Sequence, residues 1–288
     1  MAQSNYNVKD LYKEINTIDG EFGVMDDGTE FANKLIKKYC KFGNTGGIGT
    51  CFYYHEMATS GVVNLLENLM KYGLDYDKIA EYAILFLSYK LNQNPDYSGK
   101  KLNGIYIKDI EKNEYYNNKI KVNGLTCKEI INRKKDLMNM NNSERSKFNG
   151  LFSILFSLYN EINKNNLDCK NCSQKANEFV QNFEKLNEDS NINGNTSYSK
   201  LLSTLSNDYD HFKSYYAEKC RGCKDIPTLP KVKTPPSKLI PVLSTFSVIP
   251  VFLGIAYKYS LFGIDKLFQR QYLRKKLKKV KKKLKLNI

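Results

Sequence analysis

The sequence has little strand-like patterning, since apolar and polar residues almost nowhere alternate over a strand's length. Because alternation is typical of a half-buried strand, its scarcity disfavours a β-sheet fold. The first ten residues are polar and lack an apolar stretch, so no cleavable signal peptide is visible. The glycine-rich run between Cys40 and Cys51 lacks both glycine-rich phosphate-binding fingerprints, and it therefore predicts a flexible connection.

The sequence is also poor in groups for acid–base chemistry, because His55 and His211 are its only histidines. No serine, cysteine or carboxylate near either of them forms a pattern typical of a catalytic triad or a metal site. Each histidine is interpreted as an ordinary surface or core residue. The sequence therefore predicts a protein that is not an enzyme and needs no cofactor or metal.

Apolar residues recur at helical spacing along most of the chain, which predicts an all-α fold. Ser143 is the predicted N-cap of the long helix that contains Phe148 to Ile162. The polar stretch from Asn187 to Ser199 predicts a loop, and the region from about 92 to 142 is less regular. The predicted helical stretches are Val8 to Ile15, Phe31 to Tyr39, Val62 to Met70, Ile79 to Leu87, Phe148 to Ile162, Ala176 to Phe183 and Leu201 to Tyr216.

One uncharged run of 19 residues, Leu239 to Tyr257, is long enough to cross a membrane. At about 1.5 Å per residue its helix would measure roughly 28 Å, close to the thickness of the hydrocarbon layer. Pro250 predicts a kink, and snorkelling of Lys258 would extend the span to Ile264. A buried hairpin in a soluble core is the alternative.

The charge is concentrated behind this run. The whole chain carries a formal charge of +15, and residues 265–288 alone contain 11 lysines and arginines against one aspartate. The positive-inside rule therefore places this tail in a cytosol and the N-terminal domain on the opposite face. The sequence divides into a helical cysteine-bearing domain (1–223), a proline-rich spacer (224–238), a single transmembrane helix (239–257) and a lysine-rich cytosolic tail (265–288).

The tail predicts a basic amphipathic helix, with Leu273, Leu277, Val280 and Leu284 on one face. Such a helix binds membrane lipids, and docking on a cytoskeletal protein of the host is a further possibility that the sequence does not specify. Nucleic acid is excluded as a partner because base-stacking groups are scarce beside the charge. The basic residues of this helix are Arg274, Lys275, Lys276, Lys278, Lys279, Lys281, Lys282, Lys283 and Lys285.

All seven cysteines precede the uncharged run, which fits an oxidising compartment on that side of the membrane. Cys40 and Cys51 are close enough in sequence for a small disulfide loop, and the two C-x-x-C pairs, Cys169/Cys172 and Cys220/Cys223, can bridge to each other. A zinc site is the alternative for these pairs, with or without His211, although 47 residues separate them. The odd count leaves one thiol, for which Cys127 is the candidate.

Several segments resemble one family over nearly the whole chain. They are YAILFLSYKLNQ at Tyr82 to Gln93, CSQKANEFVQNFEKLNED at Cys172 to Asp189, YSLFGIDKLFQRQYLRKKLKKVKKKLK at Tyr259 to Lys285, and the short motifs Lys38-Tyr39-Cys40 and Cys51-Phe52-Tyr53-Tyr54. These residues are similar to the Plasmodium interspersed repeat (PIR) variant antigens, with the Cir, Yir and Bir members as the nearest subgroup.

The resemblance implies a multigene family of membrane proteins associated with infected red cells and with antigenic variation. It implies structural roles for Cys40, Cys51, Cys169, Cys172, Cys220 and Cys223, and no enzymatic activity. The first hypothesis is accordingly a variant membrane antigen that contacts host cell-surface or serum proteins. The second is an intracellular membrane scaffold whose basic tail organises lipids or cytoskeleton, and the third is a zinc or thiol enzyme.

Overall fold

The computed structural model describes residues 7–118, 124–162, 168–220, 223–234 and 266–283. The chain forms two compact units, Met1–Pro235 and Pro236–Ile288. The predicted membrane span, residues 239–257, and the end of the predicted spacer lie outside the described residues. No helix within the described ranges has the length and apolar character of a membrane span.

The first unit is mostly helical, as the sequence predicts. Its α-helices are α1 (Val8–Asp19), α2 (Lys34–Lys37), α3 (Tyr54–Leu69), α4 (Tyr76–Gln93), α5 (Pro95–Ser98), α6 (Leu102–Ile105), α7 (Cys127–Asn132), α8 (Asn142–Ile162), α9 (Cys169–Glu188), α10 (Ser190–Asn193) and α11 (Thr196–Lys219). Its strands are β1 (Phe22–Val24), β2 (Glu30–Ala32), β3 (Phe42–Thr45) and β4 (Ile48–Thr50). Short 3₁₀ turns occupy Met70–Tyr72, Glu114–Asn117 and Leu137–Asn139, and Tyr106–Ile110 forms a π-helical turn.

The long helices start at side-chain caps. Asn7 caps α1, because its side-chain oxygen accepts a hydrogen bond from the Lys9 N–H at 3.0 Å. At α8 the cap is not the predicted Ser143. Asn141 instead accepts from the Glu144 N–H at 2.9 Å, while the Glu144 carboxylate accepts from the Asn141 N–H at 3.0 Å. This reciprocal pair is a capping box, which satisfies two backbone N–H groups at the start of the helix.

The core lies where α1, α3, α4, α8 and α11 pack together. In α1 the ring of Tyr12 stacks on Tyr159 of α8 with 4.2 Å between centroids. The buried carboxyl group of Asp208 in α11 accepts hydrogen bonds from the hydroxyls of Tyr12 and Tyr82. The periodic apolar positions predicted for these helices thus meet in one core, which ties the first helix of the chain to the last helix of this unit.

Two short antiparallel hairpins, β1–β2 and β3–β4, depart from the predicted all-α fold. Phe31, predicted to be helical, lies in β2, and the helix expected around it is reduced to the four residues of α2. The loop predicted from Asn187 to Ser199 contains α10 and the start of α11. The strands, α2 and α10 are only three or four residues long, which is too short for a periodic apolar pattern to reveal them.

The stretch 224–234, predicted as a spacer, lies along the first unit without helix or strand. Asn187 of α9 fastens it at two points, donating to the Lys231 carbonyl and accepting from the Lys233 N–H. The Tyr209 hydroxyl donates to the Pro227 carbonyl at 2.9 Å, and Ile226 is buried. Up to Lys233 this segment is therefore part of the domain.

The second unit contains a helix over residues 266–283, here called the tail helix. This helix lies where the sequence predicts a basic helix. It does not include the predicted membrane span. Its ten lysines and arginines and its large apolar side chains are exposed.

Candidate functional site

The hairpin β3–β4 stands at the surface and replaces the predicted flexible connection. Thr45 pairs with Ile48, and the two residues between them, Gly46 and Gly47, have φ angles of 67° and 81°. Two consecutive left-handed residues are what a type I′ hairpin turn requires, and glycine adopts this conformation without steric cost. The sequence of this stretch therefore encodes a tight turn.

A disulfide between Cys40 and Cys51 closes the base of this hairpin, with 4.9 Å between the Cα atoms. The Asn44 side chain donates to the carbonyls of Lys38 and Cys40, at 3.0 and 2.9 Å. At Gly49 an added Cβ would lie 2.1 Å from the Cys40 carbonyl oxygen, so only glycine allows this close approach. The hairpin is thus fixed to the end of α2 by covalent, polar and packing contacts.

Large apolar side chains are exposed on and beside the hairpin. We call Phe42, Ile48, Phe52 and Tyr53 the hairpin surface; each is at least 44% exposed. The rings of Phe42 and Phe52 contact each other with 4.9 Å between centroids. Among the described residues of the first unit, the other large apolar side chains with comparable exposure are Met25, Leu35 and Ile107. Clustered exposure of this kind marks an interaction surface more often than scattered single residues do.

The chain around the hairpin surface is basic. Residues 34–53 contain four lysines and no acidic residue. One of them, Lys38, reaches Glu67 on α3 at 3.4 Å, an exposed pair that contributes little to stability. A surface that combines exposed aromatic rings with lysines suits a partner with acidic groups around an apolar centre.

Directly below Tyr53, His55 is buried between two charged groups. Its Nδ1 atom lies 2.8 Å from the Asp109 carboxylate, and its Nε2 atom lies 3.0 Å from the Lys108 ammonium. The ring of Tyr53 stacks on the imidazole with 5.5 Å between centroids. The sequence suggested only an ordinary histidine here, and it gave no signal for Lys108 or Asp109, which lie more than 50 residues away along the chain.

Two cavities open on either side of this group. One of about 200 Å³ is lined by Cys40, Phe42, Cys51 and the Lys108–Asn113 region. The other, of about 500 Å³, is lined by Tyr53, His55, Tyr97, Lys100, Lys101, Gly104, Ile105 and Lys108. The second has the size of an ordinary small-ligand site.

The other disulfide joins Cys169, the first residue of α9, to Cys223, with 5.7 Å between the Cα atoms. It takes one cysteine from each C-x-x-C pair. Cys172 and Cys220, which the sequence also offered as disulfide candidates, are buried thiols in the structure. Burial, then the Glu161 carboxylate and the neighbouring Cys220, raise the pKa of Cys172 to about 11.

Cys127, the candidate for the unpaired thiol, is a free and buried cysteine at the start of α7. Burial is the main cause that raises its pKa to about 12, and Glu67 adds to the effect. At neutral pH this thiol is protonated, so it is a poor nucleophile and a poor metal ligand.

No cluster of three or more metal-ligating side chains occurs in the ranges that the structure describes. His211, considered as a partner of the C-x-x-C pairs, is exposed on α11. The zinc alternative would need four thiolates, and two of those cysteines form a disulfide instead.

In the tail helix the side chains of Leu273, Leu277 and Val280 are exposed on one face, as the sequence predicts. The described basic residues surround them, and Lys276 lies over the ring of Tyr272 at 5.7 Å. Lys285 and Leu284 lie outside the described residues.

Most of the chain is similar to known proteins. Residues 12–258 match the family described as Plasmodium variant antigen protein Cir/Yir/Bir. Among solved structures the chain is similar to one described as "Structure of a Plasmodium PIR protein ectodomain", with 30% sequence identity and a TM-score of 0.56. That match covers 79% of this chain and 99% of the other. No curated protein matches. Since the family match spans most of the sequence and the fold is that of a PIR ectodomain, this chain belongs to the Cir/Yir/Bir family of Plasmodium PIR variant antigens.

Proposed function

We propose that this chain is a membrane-anchored variant antigen that displays its helical unit on or near the infected red-cell membrane. It acts by contact with host factors and in immune evasion, not by catalysis. The observation that carries the proposal is the hairpin surface. Four large apolar side chains on and directly after a disulfide-closed hairpin are exposed to solvent.

The proposed topology has residues 239–257 crossing the membrane and residues 265–288 in the cytosol. Two features support it. Disulfides persist in oxidising compartments, and both disulfides of the structure lie in the first unit. The tail helix with its ten lysines and arginines begins at residue 266, nine residues after the end of the apolar run, which is near enough to count as a flank under the positive-inside rule.

Protease shaving of intact infected cells tests the display. With tags at both ends of the full-length chain, protease should remove the N-terminal tag while the C-terminal tag stays on a small protected fragment. Permeabilised cells serve as the control in which both tags are lost. Full protection of the N-terminal tag in intact cells would contradict surface display and support the scaffold below.

The hairpin surface is proposed to meet a host cell-surface protein whose contact region is apolar at its centre and acidic at its rim. Charge complementarity favours this partner, because residues 34–53 carry lysines only. Binding of the protein to intact red cells should fall at least tenfold on Phe52→Ser and weaken with added salt. Met25→Ser is the matched control, since Met25 is also about half exposed but lies outside the hairpin surface. Equal losses in both variants would refute the assignment.

The second candidate function is an intracellular membrane scaffold, and the tail helix favours it. Leu273, Leu277 and Val280 form a short apolar row on a helix with ten basic residues. Such a helix binds anionic lipid surfaces, at about 1 kcal/mol per lysine near the surface. In this function the first unit faces a vacuole lumen, and the shaving experiment distinguishes it from display.

A further inference from the structure

The cavity of about 500 Å³ beside the hairpin surface holds three lysines and three aromatic or imidazole rings. Its basic groups are Lys100, Lys101 and Lys108, and its rings are Tyr53, His55 and Tyr97. None of the three lysines forms an ion pair with a carboxylate anywhere in the described part of the chain. Three lysines therefore line one cavity, and none of them is within ion-pair distance of a carboxylate among the described residues.

The ammonium of Lys108 is held in place by His55. The Lys108 ammonium lies 3.0 Å from Nε2 of His55, and an ammonium group can only donate in such a contact. Nδ1 of the same ring faces the carboxylate of Asp109 at 2.8 Å. The Asp109 side chain is 10% exposed, and it does not line this cavity. The contact with His55 thus holds the Lys108 ammonium in one position at the cavity wall.

The opposite wall is fixed as well. Lys100 and Lys101 lie in the connection between α5 and α6, and buried Arg145 of α8 donates hydrogen bonds to the carbonyls of Ser98 and Lys100. Burial lowers the pKa of Arg145, but the two backbone acceptors keep this side chain satisfied. These two hydrogen bonds from a buried guanidinium restrain the backbone of the connection between α5 and α6. Little ordering is then needed when a ligand binds.

The aromatic groups provide flat apolar faces between the charges. The ring of Tyr53 is stacked on His55 with an interplanar angle of 12°, and Tyr97 meets His55 edge-on at 5.2 Å. Tyr53 is 55% exposed, so most of its outer face is free for a ligand. An anion without a ring would use the lysines and leave these faces in water.

We propose that this cavity binds an acidic sugar, a saccharide ring that bears a carboxylate or a sulfate group. Lys100, Lys101 and Lys108 bind the anionic group through charge-assisted hydrogen bonds, and the sugar ring lies against Tyr53 and Tyr97. The cavity volume suits one or two sugar rings. This assignment rests on the proposal that the domain acts by contact, and it supplies the chemistry of a ligand next to the hairpin surface.

Binding of purified sugars to the first unit tests the assignment without cells or membranes. This unit has its own hydrophobic core, and the similar PIR ectodomain was solved as a separate piece. The probes are sialyllactose for a carboxylate and a heparin disaccharide for a sulfate, with lactose and inorganic sulfate as controls. Amide chemical shifts in an NMR titration report both affinity and location.

At least one acidic sugar should bind with a dissociation constant at or below the millimolar range and shift amides around residues 53–55 and 97–108. Which of the two binds identifies the anionic group. Lys101→Gln should weaken binding about fivefold, and Tyr53→Ala about as much. Lys108→Gln should weaken it about tenfold, while Lys108→Arg restores most of the affinity. Lys13→Gln, an exposed lysine on α1, is the matched control and should change nothing.

The proposal is overturned if neither sugar binds, if inorganic sulfate binds as tightly as the sugars, or if Lys13→Gln weakens binding as much as Lys101→Gln. Because Lys101 does not touch the buried His55, its variant separates loss of binding from loss of folding. A failed shaving experiment with a positive sugar titration would overturn surface display and leave the cavity assignment standing. A positive shaving experiment with no sugar binding would overturn the cavity assignment and leave the proposed surface display standing.

Discussion

The two disulfides belong to regions that differ in kind. Cys40–Cys51 closes a loop of 11 residues and holds a hairpin whose large side chains are exposed. Cys169–Cys223 spans 54 residues and joins the start of α9 to the segment that follows α11, next to a buried aromatic core. The first bond shapes a surface and the second fastens the ends of a helical hairpin. The same kind of bond therefore fixes an exposed surface in one region and joins helical elements in the other.

The largest expected effect is the loss of the long-range disulfide. Replacing Cys169 and Cys223 by alanine should lower the free energy of unfolding by about 4 kcal/mol, because a 54-residue loop regains its freedom in the unfolded chain. Circular dichroism at 222 nm should show a fall in melting temperature of about 8–16 °C, taking about 2–4 °C per kcal/mol. Reduced wild-type protein, which loses both disulfides, is the control and should melt below the variant. An unchanged melting temperature would show that the Cys169–Cys223 bond does not stabilise the protein.

Removing Cys40 and Cys51 should cost less, about 3 kcal/mol, since the closed loop is shorter. Loss of this bond should also affect a different part of the unit than loss of Cys169–Cys223. Amide hydrogen exchange should rise most in residues 40–53 and less in α9 and α11. Faster exchange spread evenly over the whole unit would show that the hairpin belongs to the same cooperative core as the helices.

The core beneath α11 should respond to pH through Asp208. Burial is the main cause that raises its pKa to about 6, Glu81 adds to it, and Lys78, Tyr82 and Tyr12 oppose it. A raised folded-state pKa means that the folded protein binds the proton more tightly than the unfolded chain. The contribution of Asp208 to stability is therefore greatest below about pH 4 and declines up to about pH 6.

The free energy of unfolding of wild type relative to Asp208→Asn should fall by roughly 2–3 kcal/mol between pH 4 and pH 6.5, as a shift of about two pKa units implies. Urea titrations at each pH measure it. Asp210→Asn, on the exposed side of the same helix, is the control and should show no such step. A step that ran in the opposite direction would mean that hydrogen bonds from Tyr12 and Tyr82 outweigh burial.

Replacing a single glycine of the hairpin turn should lower the stability of the protein. Gly47→Ala places a side chain at φ 81° and should destabilise the protein by about 1–2 kcal/mol, the usual cost of a left-handed residue that is not glycine. Gly150→Ala is the control, because Gly150 lies within α8 with no atom near an added Cβ. That variant should be stabilised by up to about 1 kcal/mol. Denaturant midpoints measure both, and equal signs would contradict the turn assignment.

The smallest effect on stability should come from the hairpin surface itself. Phe52 is 61% exposed, so Phe52→Ser should change the free energy of unfolding by no more than about 0.5 kcal/mol. Its effect on binding to cells should nevertheless be large. A stability loss above 2 kcal/mol would show that the ring is part of the core, and the contrast between the two disulfide regions would fail.

Much of the helical framework is readable from local spacing. The apolar repeats in α1, α3, α4, α8, α9 and α11 predict helices that the structure contains, because one buried stripe per helix recurs every three to four residues. The cap at Asn141, the strand at Phe31 and the helix α10 were missed. In each case a neighbouring side chain or strand, not the local period, decides the conformation.

The candidate site is harder to read from the sequence. The glycine pair at 46 and 47 was visible, but the sequence alone did not distinguish a flexible connection from a type I′ turn. His55 and Lys108 lie 53 residues apart in the sequence, and neither local sequence pattern predicts their contact. Tyr97 and Lys100 reach the same cavity because Arg145 fixes their connection from another helix.

The sequence by itself determined the helical character of the domain, the family, the separation of cysteines from the lysine-rich tail and the long apolar run before it. These follow from composition and from periods that each segment carries alone. The tertiary structure decided which cysteines join, where the hairpin points and which charges surround His55. Contacts between distant segments depend on how whole helices pack, and packing is a property of the complete core and not of any one stretch of chain.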